Sequence, residues 1–183
     1  GWPTHTWTYR DAQGRVLGMI CRFDHADEID EQTGKPKKDY LPHTYCRSDD
    51  GRAQWRWLSF AKPRPLYGLD ALAARPDGQV IVTEGEKAAD AAAALFPNLV
   101  AVSWPGGSKA ARMADFAPLA GRKVVLWPDA DQPGIQCMDG WVDERGTWHD
   151  GVGQMLQALG CGVRVIDLAA DHDLPKGWDA ADF

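Results

Sequence analysis

The 183-residue chain has only four cysteines, Cys21, Cys46, Cys137 and Cys161, and none of them forms a Cys-x-x-Cys pair. No Cys/His group has zinc-site spacing, so a structural zinc is not expected, and buried thiols in a reducing compartment are the default. Long apolar runs are missing, and no basic-then-apolar leader opens the chain, so a cytoplasmic protein with no membrane attachment is expected. The Gly-x4-Gly-Lys-Ser/Thr spacing of a Walker loop does not occur. A general excess of positive charge is lacking too. The 20 Lys and Arg against 26 Asp and Glu give a net charge of −6, which excludes a uniformly sticky nucleic-acid binder.

That charge is unevenly spread. Residues 1–75 carry 12 Lys and Arg against 10 Asp and Glu, a balance of +2, whereas residues 76–183 carry 8 against 16, a balance of −8. The change coincides with a polar stretch at 75–79 containing Pro76 and Gly78, where a domain boundary is expected. In the first part, residues 7–10 and 15–23 read as a hairpin, and residues 40–45 and 55–60 as aromatic-rich strands around a turn at 48–51. Residues 24–38 read as a solvated, charge-rich loop, in which His25, Asp27, Glu28, Asp30 and Glu31 only superficially suggest a metal cluster. Lysines and arginines threaded among Tyr and Trp can track a phosphate backbone and stack bases, but they also suit an ordinary mixed-charge sheet surface.

Beyond residue 76 the pattern becomes strand–helix alternation. Short apolar runs at 80–83, 99–104, 124–127 and 163–168 read as strands, with an Ala-rich helix at 86–95, a weaker one at 109–116 and another at 151–159. Alternation at this spacing predicts a parallel sheet with crossover helices, whose ligands bind beyond the carboxyl ends of the strands. Three chemistry-bearing groups fall at those ends. Glu84 closes the first strand, the turn Gly106-Gly107-Ser108-Lys109 follows the second, and Asp129 and Asp131 follow the third. An Asp-x-Asp by itself is also a common strand-end turn. In extended chain, however, positions i and i+2 face one side, and two close carboxylates are best reconciled by a cation between them, with Mg²⁺ suited to oxygen ligands. Backbone amides of the glycine turn could hold a phosphate, or could serve only the turn. Pro133 and Gly134 are expected to turn the chain away, and residues 136–150, with Trp141, Gly146 and Trp148, read as a hairpin-like insertion without an assigned role.

Val82-Thr83-Glu84-Gly85-Glu86-Lys87, followed by Asp129-Ala130-Asp131 and Gly134, resembles the TOPRIM domain shared by bacterial and phage primases, type IA and II topoisomerases and some nucleases. The primase branch is favoured by the segments at 14–18 with Arg22, at 38–41, and at 60–69, where Lys62-Pro63-Arg64-Pro65-Leu66-Tyr67-Gly68-Leu69 is similar to the basic subdomain ahead of a bacterial-type primase TOPRIM. The tail Lys176-Gly177-Trp178-Asp179 resembles the acidic segment after the last TOPRIM strand, and the likeness is strongest to phage or prophage primase–helicase proteins. It implies an α/β fold, a TOPRIM-like mostly parallel sheet with flanking helices over 76–183, preceded by a small strand-rich basic subdomain over 1–75.

The resemblance further implies a DNA primase core making short RNA primers on single-stranded DNA. Nucleoside triphosphates would be substrates, Mg²⁺ or Mn²⁺ the cofactor, and a separate or fused helicase the partner. Glu84, Asp129 and Asp131 would be catalytic. The same three with Asp179 would surround the metal, while Arg22, Lys38, Lys62, Arg64, Gly106, Gly107 and Lys109 would contact nucleotide or template. Two departures stand out. Many primases carry an Asp four residues after the glutamate, where this chain has Ala88, with Glu86 and Asp90 nearby at different spacing. The zinc-binding module that usually precedes such a core, and the helical domain or motor that follows it, have no counterpart in these residues, as expected of an excised or degenerate core. A TOPRIM nuclease and a non-catalytic nucleic-acid-binding or docking module therefore stay open as alternatives.

Overall fold

A computed structural model describes residues 1–31, 34–48, 50–168 and 174–183. Asp49 of the turn expected at 48–51, and Gln32 and Thr33 of the loop expected at 24–38, lie outside the described residues.

The fold is mixed α/β, an antiparallel sheet followed by a parallel one. Strands β1 (His5–Arg10), β2 (Val16–Ile29), β3 (Pro36–Arg47) and β4 (Ala53–Arg56) form the first sheet in sequence order. The β1–β2 turn is tied by the Asp11 carboxylate, which accepts from the Gln13 and Arg15 amides at 2.9 Å each. Side chains alternate across this sheet, and one face buries Trp7, Tyr9 and Ile20 against Phe60.

Residues 24–38 are not the loop that their charge suggested. β2 and β3 continue through most of them as a long antiparallel arm, paired from Gly18↔Thr44 to His25↔Lys37 and again at Ile29↔Pro36. Polar side chains pair across the strands, the His25 ring with the Asp39 carboxylate at 2.9 Å and the Lys37 ammonium with Glu28 at 3.2 Å. Opposite charges on facing strands stabilise the pairing that their polarity seemed to forbid. The aromatic strand expected at 55–60 is likewise shorter and earlier, at Ala53–Arg56.

The second part holds α1 (Leu69–Ala74), β5 (Val80–Val82), α2 (Glu86–Leu95), β6 (Val100–Val102), β7 (Lys123–Leu126), α3 (Gln132–Asp139), the hairpin β8 (Trp141–Val142) and β9 (Trp148–His149), α4 (Val152–Ala158) and β10 (Gly162–Val165). Its sheet is parallel throughout, in the order β10-β7-β5-β6. The residues expected to form a helix at 109–116 form a 3-10 helix at Ser108–Met113 instead. Val80, Val82, Val100, Val102, Val124 and Leu126 bury one face of the sheet with Trp104, Met138 and Leu156, while Ile81 and Trp127 bury the other against Ala88 and Ala92 of α2. Continuous apolar runs are what a sheet covered on both faces requires. Leu66 and Leu72, which precede the charge change at 75/76, belong to this second core. Arg122 reinforces the attachment by donating to the Leu72 and Arg75 carbonyls at the end of α1.

Residues 136–150 are not wholly an insertion. Helix α3 runs to Asp139, and only residues 141–149 form the hairpin. Pro133 and Gly134 sit in the first turn of α3 rather than turning the chain away. Proline is tolerated there because its missing N–H would have no helical partner, and Asp131 caps the turn by accepting from the Gly134 amide at 2.9 Å. Among the described residues no helix is long and apolar enough to cross a membrane.

Candidate functional site

β5 and β7 are neighbours in the parallel sheet, with Val82 beside Leu126 and the Trp127 amide bonded to the Val82 carbonyl at 2.9 Å. Their carboxyl ends therefore deliver Glu84 and Asp129 to adjacent positions. The Asp129 amide donates to Glu84 Oε1 at 3.3 Å. Glu84 is buried, and Asp129 lies beside it at the bottom of a cleft of about 670 Å³ between the two sheets. Trp7, Ile20, Tyr40 and Pro42 of the antiparallel sheet form one wall, and the turn Pro105-Gly106-Gly107-Ser108 after β6 forms another.

The chain end completes the acidic side. The Ala130 amide donates to the Trp178 carbonyl at 2.9 Å and the Gly177 amide to the Ala130 carbonyl at 3.0 Å, which brings Asp179 to the cleft. Trp178 packs on Trp127 and holds that tail down. Asp131, by contrast, does not line the cleft. Its Oδ1 is taken up in capping α3, although its charge still acts on Glu84 and Asp129. The like-sided projection expected from Asp-x-Asp is thus divided, one carboxylate in the cleft and the other spent mainly on the helix start.

Electrostatics mark the pair as a site of unrelieved negative charge. Burial, then repulsion from Asp129, Asp131 and Asp179, pushes the Glu84 carboxyl from its ordinary 4.5 up to about 8. Burial and repulsion from Asp179, Asp131 and Asp182 push Asp129 from 3.8 to about 7, with the Lys87 ammonium pulling the other way. Close packing enforces the contact. A methyl group on Gly134 would lie 2.6 Å from both the Asp129 carbonyl and Glu84 Oε1, so only glycine lets α3 start against these carboxylates.

These residues fit a hard divalent cation of the open kind. Mg²⁺ ordinarily keeps several waters and takes one or two carboxylates together with substrate phosphates. Glu84, Asp129 and Asp179 supply only oxygen ligands, the hard donors that such an ion takes. Among the described residues no group of three or more His, Cys, Asp or Glu converges tightly enough to enclose an ion, so any such ion would keep ligands from water or phosphate.

The basic candidates separate. Arg64 lines the cleft, with Nη1 donating to the Pro105 carbonyl at 3.3 Å and a buried Nε that has no partner among the described residues. Gly106 and Gly107 line it as well, and Gly106 (φ 101°) adopts backbone that other residues rarely take, with Arg64 Nη1 3.1 Å from where a methyl would sit. Arg22 and Lys38 share the sheet face of Ile20, Tyr40 and Pro42 without lining the cleft; Arg22 lies across the strands from Tyr40 and is paired to Asp24 through contacts of 2.7 and 3.0 Å, and Lys38 lies farther out along the arm. Lys62 and Lys109 are exposed and outside the cleft lining.

Glu86 and Asp90, considered as stand-ins for the acidic group lacking at Ala88, have other work. Glu86 accepts from the Tyr9 hydroxyl at 2.5 Å, while Asp90 accepts from Trp7 Nε1 at 3.0 Å and from the Tyr67 hydroxyl at 2.8 Å. They fasten α2 to the antiparallel sheet and so hold the two walls together. Burial raises the Glu86 carboxyl, and the Tyr9 hydrogen bond partly offsets this. Sequence reasoning did not single out Lys87, Ser59 or Tyr40 as site residues, though all three line the cleft. Lys87 stood in the Glu-Gly-Glu-Lys stretch beside Glu84 and Tyr40 in the primase-like segment at 38–41, whereas Ser59 gave no local signal.

No curated protein matches the chain. Among solved structures it is similar to the Aquifex aeolicus primase (zinc-binding and RNA polymerase domains), with a TM-score of 0.53 at 21% identity over 97% of this chain and 36% of that one. It is similar also to the primase fragment of the bacteriophage T7 primase-helicase protein, with a TM-score of 0.50 at 18% identity over 97% of this chain and 55% of that one. The chain thus spans between about a third and about half of these structures and has the fold of that part of them. A family model described as "Domain of unknown function (DUF6371)" matches residues 4–130, from the start of the antiparallel sheet through Glu84 to Asp129, and the chain belongs to that family.

Proposed function

We propose that the chain is a TOPRIM-type, metal-dependent nucleotidyltransferase core that joins nucleotides on single-stranded DNA, as a primase does. The observation that carries this reading is the convergence of Glu84 and Asp129 at adjacent strand ends inside a cleft that also presents Arg64 and the Gly106–Gly107 turn. Acidic oxygens on one side and donors on the other suit a triphosphate neutralised from both directions. The overall likeness to primase structures supports it, while the acting residues are argued from this chain alone.

Glu84, Asp129 and Asp179 would hold Mg²⁺ or Mn²⁺. Such an ion, when bound, would activate the attacking 3′-oxygen and neutralise charge on the leaving pyrophosphate. Arg64 would hold phosphate oxygens through its free guanidinium edge, aided by the Gly106–Gly107 backbone and Lys87. Tyr40, half-exposed in the same cleft, offers a face for a base. Arg22 and Lys38, on the same sheet face, would guide template towards it. A helicase, fused or separate, would supply the unwound strand.

A second reading has one specific observation in its favour. Ala88 provides no carboxylate, and Glu86 and Asp90 are engaged in holding the sheets together, so the fold could serve as a non-catalytic binding module. A template-directed dinucleotide synthesis assay with the wild type and Asp129→Asn separates the readings. Product from the wild type that is lost in the variant supports the transferase. Cleavage of the DNA instead would make the protein a nuclease, and neither activity would leave the binding module.

A further inference from the structure

The face of the antiparallel sheet turned away from the cleft carries a feature that nucleotide joining does not use. Cleft residues Ile20 and Pro42 occupy even positions of β2 and β3, so the odd positions project to the other side. There Phe23, His43, Tyr45, Trp55 and Trp57 form one continuous series of rings. Phe23 lies 6.1 Å from Trp57, Trp57 is stacked on His43 at 4.4 Å, His43 lies 5.1 Å from Trp55, and Trp55 lies 5.7 Å from Tyr45.

The series is open to solvent. Trp57 is 59% exposed, Tyr45 53% and Trp55 41%. Leaving this much aromatic surface in water is costly and marks a contact surface. Its surroundings specify the partner's chemistry. Arg47, two positions along β3 from Tyr45 and on the same face, is exposed and has no acidic partner among the described residues. It belongs to the half of the chain with a positive balance of +2, in a protein that is otherwise acidic. Flat rings with a free guanidinium group at the end of the series complement bases and phosphates.

We propose that this outer face is a stacking platform for single-stranded DNA, separate from the cleft. Aromatic rings accept any base, and the ring-to-ring steps are comparable with the separation of successive bases, about 3.4 Å when stacked and longer when the strand is extended. A four-stranded antiparallel sheet that stacks two or three bases on exposed aromatics is an established solution to this problem in other proteins. The platform shares with the primase reading only the expectation of a single-stranded ligand. It does not depend on Glu84 or Asp129, and a strand lying on it leaves the cleft free.

The test is fluorescence anisotropy with a labelled oligothymidylate and with a duplex of equal length, in EDTA at low salt. The Trp55→Ala/Trp57→Ala double variant, checked for native circular dichroism, is expected to bind the single strand at least about tenfold more weakly. Asp129→Asn should stay within about twofold of the wild type, so a failed synthesis assay and a failed platform give different results. Photocrosslinking of the wild type to a 5-iodouracil oligonucleotide requires no variant and should mark Tyr45, Trp55 or Trp57. A folded double variant with unchanged affinity, or adducts confined to cleft residues, would overturn the proposal. It would equally be overturned if the double variant lost only self-association in sedimentation, which would make the face a contact between copies of the chain.

Discussion

Replacing Glu84 by Gln perturbs the site in a way whose size and sign follow from its burial. The folded protein holds the Glu84 proton up to about pH 8, whereas an exposed glutamate releases it near 4.5. Between those values the unfolded chain binds fewer protons than the native one, so stability falls as pH rises through this window. Below it the carboxyl is protonated in both states and costs nothing extra. At pH 7.5 a group displaced this far forfeits on the order of 2–4 kcal/mol. Gln keeps the amide oxygen that accepts from the Asp129 backbone but cannot ionise. Metal-free Glu84→Gln is therefore expected to be more stable than the wild type by about 2–4 kcal/mol at pH 7.5 and equal to it near pH 4.5. Urea unfolding in EDTA at both pH values measures this directly. A variant that is less stable at pH 7.5, or whose difference from the wild type does not change with pH, would refute the account of an uncompensated carboxylate.

Two other substitutions probe how the site is held. Gly134→Ala places a methyl 2.6 Å from the Asp129 carbonyl and Glu84 Oε1 and should cost about 1–3 kcal/mol, read as a lowered Tm, because backbone as well as side chain must shift. Tyr9→Phe removes the hydroxyl that donates to Glu86 and leaves a buried carboxylate short of a partner. A loss of about 1–3 kcal/mol is expected in urea unfolding, and an unchanged midpoint would mean that the sheets do not depend on this bond.

The parallel half of the fold was largely legible in the sequence. Runs such as Val124-Val125-Leu126 can be buried on both sides only in a covered sheet, and ten residues rich in alanine have few alternatives to the helix found at Glu86–Leu95. The order of strands put Glu84 and Asp129 at the same edge, and their direct contact follows from β5 and β7 being neighbours. Helix α3 was hidden because Pro133-Gly134 has the composition of a turn, and its true signal, an Asp cap followed by proline in the first turn, lay inside the motif taken for a metal pair. The β2–β3 arm was hidden because its stability comes from cross-strand polar pairs, which a one-dimensional reading sees as a solvated run. The roles of Glu86 and Asp90 depend on Tyr9, Trp7 and Tyr67, which are 23 to 83 residues away in sequence, and no local pattern encodes them.

Whether the cleft carboxylates hold a catalytic ion is tested most directly by titrating Mn²⁺ into the metal-free protein and following the loss of its free-ion electron paramagnetic resonance signal. Saturable uptake by the wild type, abolished when Asp129 and Asp179 are both replaced by Asn and weakened at least about tenfold by Glu84→Gln, is the expected result. Uptake that is the same in the wild type and in these variants would contradict the central claim.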